Sequence, residues 1–161
     1  MRYVMKKRAF SLSDSFTIQN EAGAAVYNVV GQIFTIGKKL SFQDLEGKEL
    51  AHIEQKLLSW GPTYEIYHDG ELCAVVKKHL FTLFSYAFSI DVPGPDDLEA
   101  RGNFIDTEYT FVRGGQIVAE ASKRWFNWTE TYGVDISDDQ DQVLILASAV
   151  VIEMVCHEHR R

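Results

Sequence analysis

Cys156 and His157 stand side by side near the C-terminus, a thiol next to an imidazole, with His159 two residues on. Nucleophilic catalysis needs the base within hydrogen-bond reach of the nucleophile, and neighbours on a helix diverge by about 100°. The pair therefore reads as a buried thiol beside a solvated imidazole. His157 and His159 have no third ligand at metal spacing. The chain also lacks a Gly-x-Ser-x-Gly elbow, a phosphate-binding glycine loop and a Rossmann fingerprint. No catalytic residue, cofactor or enzymatic activity is expected.

Two charged groups carry more. Asp135, Asp138, Asp139 and Asp141 surround Ser137, and carboxylate oxygens are the donors calcium takes. The glycine and closing glutamate of an EF-hand are missing. Ser137 followed by Gln140 has capping-box spacing, and carboxylates are favourable at a helix N-terminus without any ion. Basic residues recur as Lys6-Lys7-Arg8, Lys38-Lys39, Lys77-Lys78 and Lys123-Arg124. Lys78 and Lys123 share strand parity with Ala74 and Ala119, so both are expected to lean toward the inside of a sheet. With Arg124 and the neighbouring Trp125 they form a candidate cationic mouth for a phosphate headgroup or another anion. Trp125 and Trp128 point apart if the segment is a strand, one covering the end of the core and the other exposed.

These residues need elements to position them. Val143–Cys156 is apolar except for Ser148 and Glu153, and those two lie about 140° apart on a helical wheel. Such a segment is apolar nearly all round and needs burial on every side. At fourteen residues a helix would be roughly 21 Å long, too short for a ~30 Å hydrocarbon core. A helix over about 139–157 is expected, with Glu153 near the end of its enclosure, solvated or paired with a base.

The preceding chain reads as hairpins with glycine turns: 15–23 into 24–30, 40–47 into 48–56, 64–70 into 71–78, and 109–115 into 116–123. Four residues after the turn glycine stand Ala51, Ala74 and Ala119, and two further on Ile53, Val76 and Ala121. Small residues on one face leave room for the helix opposite. Further strands are expected at 33–36, 87–92, 98–104 and 131–136. About twelve strands closed around one helix leave no open edge.

The 161 residues suggest one domain, 1–161, with a globular 46% of hydrophobic residues. A net charge of −7 argues against nucleic acid as a partner. Cys73 and Cys156 suggest neither a disulfide framework nor a metal site, which fits a cytoplasmic location. No apolar stretch comes after Lys6-Lys7-Arg8, so no signal peptide is expected.

Ser122-Lys-Arg-Trp-Phe-Asn-Trp-Thr-Glu-Thr-Tyr-Gly-Val-Asp-Ile136, followed by the acidic segment and apolar helix, resembles the LURP-one-related (LOR) family. Tyr3–Arg8 and Phe16–Ile18 are similar to that family's opening strands, so the likeness runs along nearly the whole chain. The resemblance implies a tubby C-terminal-like fold, a twelve-stranded barrel around a central helix, distantly similar to phospholipid scramblases. Scramblases carry an acidic calcium segment before their last helix, which keeps Asp135, Asp138, Asp139 and Asp141 in view as a calcium candidate. The resemblance implies no enzymatic activity. Two functions remain: a binding module for an anionic phospholipid headgroup or apolar ligand near a membrane surface, or a structural domain that contacts a protein partner.

Overall fold

The computed structural model describes residues 1–8, 15–33, 35–81, 85–125 and 131–158. Twelve strands run in sequence: β1 (Arg2–Lys7), β2 (Ser15–Asn20), β3 (Ala25–Gly31), β4 (Lys39–Gln43), β5 (Glu49–Gln55) and β6 (Thr63–His68), then β7 (Glu71–Leu80), β8 (Tyr86–Asp91), β9 (Leu98–Asn103), β10 (Glu108–Arg113), β11 (Gln116–Ser122) and β12 (Thr131–Ile136). One helix, α1 (Gln142–Glu158), comes last. Each strand pairs antiparallel with its sequence neighbours, and β1 pairs with β12, which closes the barrel.

Alternation explains the inside. Met5, Ile18, Phe42, Ile53, Ile66, Val76, Ile90, Phe111 and Val134 point inward and are buried. They surround Ile145 to Cys156, where every side chain but that of Glu153 is buried. Ser148 lies in this apolar interior because its hydroxyl donates to Leu144 O at 2.8 Å, one helical turn back. Tyr132 on β12 donates to Ala149 O at 3.4 Å and ties the wall to the helix. Glu153 is half-buried in the second half of α1. Its charge, after burial itself, helps hold the phenols of Tyr109 and Tyr132 well above their ordinary range.

The four expected hairpins share one detail that strict alternation does not foresee. In β2–β3, β4–β5, β6–β7 and β10–β11 the register slips once near the turn. The extra residue is Val26, Leu50, Cys73 or Val118, each three positions after a turn glycine. Those glycines, Gly23, Gly47, Gly70 and Gly115, have φ between 77° and 85°. A bulge adds twist and re-aims the side chains after it, which is why Ala51, Ala74 and Ala119, one residue later, all face the helix and are buried. The repeat visible in the sequence is thus a repeated bulged hairpin.

Two expectations shift. The stretch 33–36 is no strand among its described residues; it belongs to the connection between β3 and β4, where Gly37 takes φ 74°. The helix begins at Gln142 rather than 139, and its cap is Asp141, whose Oδ1 accepts from Leu144 N at 3.1 Å. Ser137 caps nothing: its carbonyl accepts from Gln140 N in the preceding turn.

Candidate functional site

An antiparallel meander of twelve strands puts alternate connections at opposite ends of the barrel. At one end lie the connections β2–β3, β4–β5, β6–β7, β8–β9 and β10–β11, all but β8–β9 short turns, together with the start of α1; this is the turn rim. At the other lie the strand ends that the connections β1–β2, β3–β4, β5–β6, β7–β8, β9–β10 and β11–β12 join, together with the end of α1; this is the loop rim.

Charge divides between the two rims. All four basic groups, Lys6-Lys7-Arg8, Lys38-Lys39, Lys77-Lys78 and Lys123-Arg124, fall at or near the loop rim. Carboxylates crowd the turn rim, among them Asp44, Glu46, Asp69, Asp96, Asp138 and Asp139. A net charge of −7 therefore conceals a bipolar molecule. The separation is visible only once strand order is known.

Lys78 leans inward as its parity predicts. Its Nζ lies 4.1 Å from the centroid of the Tyr86 ring, a cation–π contact. Tyr86 in turn stacks on Phe104 at 5.3 Å and places its hydroxyl 3.9 Å from Cys156 Sγ in the last turns of α1. Lys123 comes just after β11 in the same parity as Ala119 and Ala121 and is half-buried. Arg124 is exposed, and its Nε lies 3.6 Å from Glu108 Oε1, which also accepts from Ser122 Oγ at 2.7 Å. These three share a rim, Lys78 on β7 and the other two just after β11, with β8, β9 and β10 between them along the wall. Trp125 packs elsewhere: the Arg2 guanidinium lies 4.2 Å over its ring, and Arg2 also reaches Asp135 at 3.3 Å. Arg2 alternates with buried Tyr3 and Met5, so Trp125 lies against the outer wall. Phe126 and Trp128 lie outside the described residues, as does His159.

Two of the four aspartates converge on the N-terminal ammonium, Asp138 directly and Asp135 from 4.0 Å, while the other two make contacts of their own. Asp135 meets Arg2, Asp138 Oδ1 lies 3.0 Å from the Met1 amino group, Asp139 accepts from Gln140 Nε2, and Asp141 caps the helix. Among the described residues no group of three or more His, Cys, Asp or Glu is arranged to hold a metal ion.

Apolar side chains also gather at the loop rim. Ile33 and Ile36 between β3 and β4, Leu57, Leu58 and Trp60 between β5 and β6, and Leu80 and Phe81 at the end of β7 are all exposed. Sequence reasoning passed over Trp60. The signal was present: Leu57-Leu-Ser-Trp60 puts three large apolar residues where a connection between strands is normally polar. A separate apolar cleft of about 270 Å³ opens at the turn rim, between Leu50, Ile66 and Tyr67 of the wall and Val143 and Leu144 of the helix.

Comparison with known proteins gives the chain's relations. A profile of the LURP-one-related family matches residues 1–153. A protein of Bacillus subtilis (strain 168), described as uncharacterized protein YxjI, is 32% identical over 154 residues, covering 95% of this chain and 92% of that one. The X-ray structure of an Arabidopsis thaliana protein superposes with a TM-score of 0.68 at 13% identity, covering 99% of this chain and 92% of that one. At that identity the last likeness speaks to the fold alone. No helix among the described residues is long and apolar enough to cross a membrane.

Proposed function

We propose, from the premise that this chain belongs to the LURP-one-related family, that it is a non-enzymatic binding module whose partner is an anionic phospholipid surface, met through the loop rim. The observation that carries the reading is the segregation of charge. Each basic residue held near an anionic surface contributes on the order of 1 kcal/mol, decaying within a Debye length of ~8 Å at physiological salt. A strand of six residues (β6, for example) spans about 20 Å. The acidic turn rim therefore lies more than a Debye length from a membrane facing the loop rim, and its repulsion is screened. An acidic protein can approach an acidic surface when its charge is arranged this way.

The test is flotation with phosphatidylserine-rich vesicles and with phosphatidylcholine vesicles, at low and physiological salt. Flotation only with the anionic vesicles, weakened by salt and by the triple variant Lys78→Ala, Lys123→Ala, Arg124→Ala, supports the reading. Absence of flotation even at low salt sinks it and favours the domain that contacts a protein partner. The turn-rim cleft favours a second reading, an apolar small molecule held between helix and wall. Native mass spectrometry of protein purified from its own cells would reveal such a ligand as a retained mass.

A further inference from the structure

We infer that Ile36 between β3 and β4, Leu57, Leu58 and Trp60 between β5 and β6, and Leu80 at the end of β7 form an apolar crown that inserts between the headgroups of an anionic bilayer, with Leu58 and Trp60 at its tip. The inference rests on the loop rim being the membrane-facing end and goes further, naming the side chains that leave water and the order of events.

The three segments are contiguous. Gln55 N donates to Lys38 O at 2.8 Å, and Lys38 N donates to Gln55 Oε1 at 3.1 Å, which binds the β3–β4 connection to the end of β5. Gly37 lies so close to Leu57 that a Cβ built on it would sit 3.1 Å from Leu57 Cδ2. On the other side Lys78 N donates to Pro62 O at 3.1 Å, so the connection that carries Trp60 is fixed to β7 two residues before Leu80. The β5–β6 connection stands between two neighbours and presents its side chains outward from a supported base.

The exposure is extreme for such side chains. Leu58 and Trp60 are as open as in an extended peptide, at 106% and 103%, and Ile36 is 82% exposed. Leu58 also has φ +59°, a conformation that ordinary L-residues avoid and that glycine adopts without cost. A leucine held in a left-handed turn, pointing at water, gives the fold nothing. Strained backbone of this kind clusters where a surface binds something.

Chemistry selects the occupant. Tryptophan suits the interfacial layer of a bilayer, where its ring is buried and its N–H stays near water. Lys38, Lys56, Lys77 and Lys78 flank the crown in sequence and register, and a basic collar around apolar tips matches an anionic headgroup layer over hydrocarbon. Docking then has two stages: charge brings the loop rim to the surface, and the crown enters once there. The first stage is salt-sensitive and the second is not.

The experiment measures partitioning onto phosphatidylserine-rich vesicles by sedimentation for the parent, Leu58→Gly, Trp60→Ser, the pair combined, and Leu45→Ser with Leu72→Ser as turn-rim controls. Vesicles are loaded at low salt and then challenged with high salt. Each tip substitution should lower partitioning on the order of tenfold, the factor set by burying one large apolar side chain, and the double variant should lose its salt-resistant fraction. The turn-rim controls should bind as the parent does. Melting temperatures keep the comparison clean, because both tip residues are exposed and glycine at 58 relieves the backbone.

If the double variant binds and resists salt like the parent, the crown is refuted while charge-driven docking stands. Equal losses in the turn-rim controls would refute it too, since the effect would then be general. Failure of the parent to bind at low salt overturns both the crown and the membrane-facing rim beneath it, and leaves these side chains as a surface for a protein.

Discussion

Replacing Val150 tests whether the barrel is built around its helix. The side chain is fully buried in the middle of α1. Val150→Ala removes two methyl groups, about 1.6 kcal/mol of transfer free energy at ~0.8 kcal/mol each. A cavity of roughly 50 Å³ at ~24 cal/mol per Å³ adds about 1 kcal/mol if the walls do not collapse. The sum of about 2–3 kcal/mol should lower the melting temperature by roughly 5–10 °C for a chain of this size. Val150→Asp is a different order of perturbation. An unpaired carboxylate among Leu146, Val151 and Met154 costs several kcal/mol even if it takes up a proton, a large part of the ~5–15 kcal/mol that holds a domain together. Ser148→Ala is the control, because it removes one local hydrogen bond at an equally buried position, worth about 1 kcal/mol. Circular dichroism melts should place Val150→Asp as the most damaged variant, unfolded or insoluble, then Val150→Ala, then Ser148→Ala. A soluble Val150→Asp protein with the parent's melting temperature would refute the central helix.

The turn-rim acids should prove structural. Asp141→Ala removes the cap on Leu144 N and should cost about 1 kcal/mol, read as a fall of a few degrees in melting temperature. Millimolar calcium should leave the melting temperature of the parent unchanged; a saturable rise lost in Asp138→Asn, Asp139→Asn would show a bound ion instead. Alkaline stability should track the buried phenols. Burial, then Tyr27, pushes Tyr3 up to about 12, and burial holds Tyr109 and Tyr132 well above the ordinary value of 10. The folded protein thus keeps protons that the unfolded chain releases. This stability is complete below pH ~10 and is lost as pH rises toward and past ~12. Urea denaturation at stepped pH, with tyrosinate absorbance beside it, checks the sign; stability that rises above pH 10 would contradict it.

How far the sequence reaches depends on the period of each signal. The helix was legible because fourteen nearly unbroken apolar residues have one solution in a chain that must bury them. Its start is three residues later than expected because Ser137 and Asp141 both precede the run and both could cap; only the path out of β12 makes Asp141 the one at the right distance. The turn glycines marked the hairpins, but the bulges at Val26, Leu50, Cys73 and Val118 leave no mark of their own beyond the shifted alanine. Alternation also suggested a strand at 33–36, a stretch that instead belongs to the connection in which Gly37 takes φ 74°. Parity put Lys78 on the side of β7 that carries Ala74 and Val76, and its ammonium lies over Tyr86, a partner that parity does not name. The candidate group around it was less legible. Trp125 is four residues from β11's Ala121 yet lies against Arg2, a contact that depends on β1 closing onto β12. Leu57-Leu-Ser-Trp60 was legible as an apolar run in a connection, but the full exposure of Leu58 and Trp60 belongs to the folded surface, and a sum of −7 carries no positions for the charge.

Hydrogen–deuterium exchange on the unaltered protein, with and without phosphatidylserine-rich vesicles, tests the central claim of a membrane-facing loop rim most directly. Vesicles should slow exchange at 56–62 and 35–38 on the loop rim and leave the turns at 44–48 and 68–71 unchanged. Slowing confined to the turn rim, or the same small change at both ends of the barrel, would contradict it.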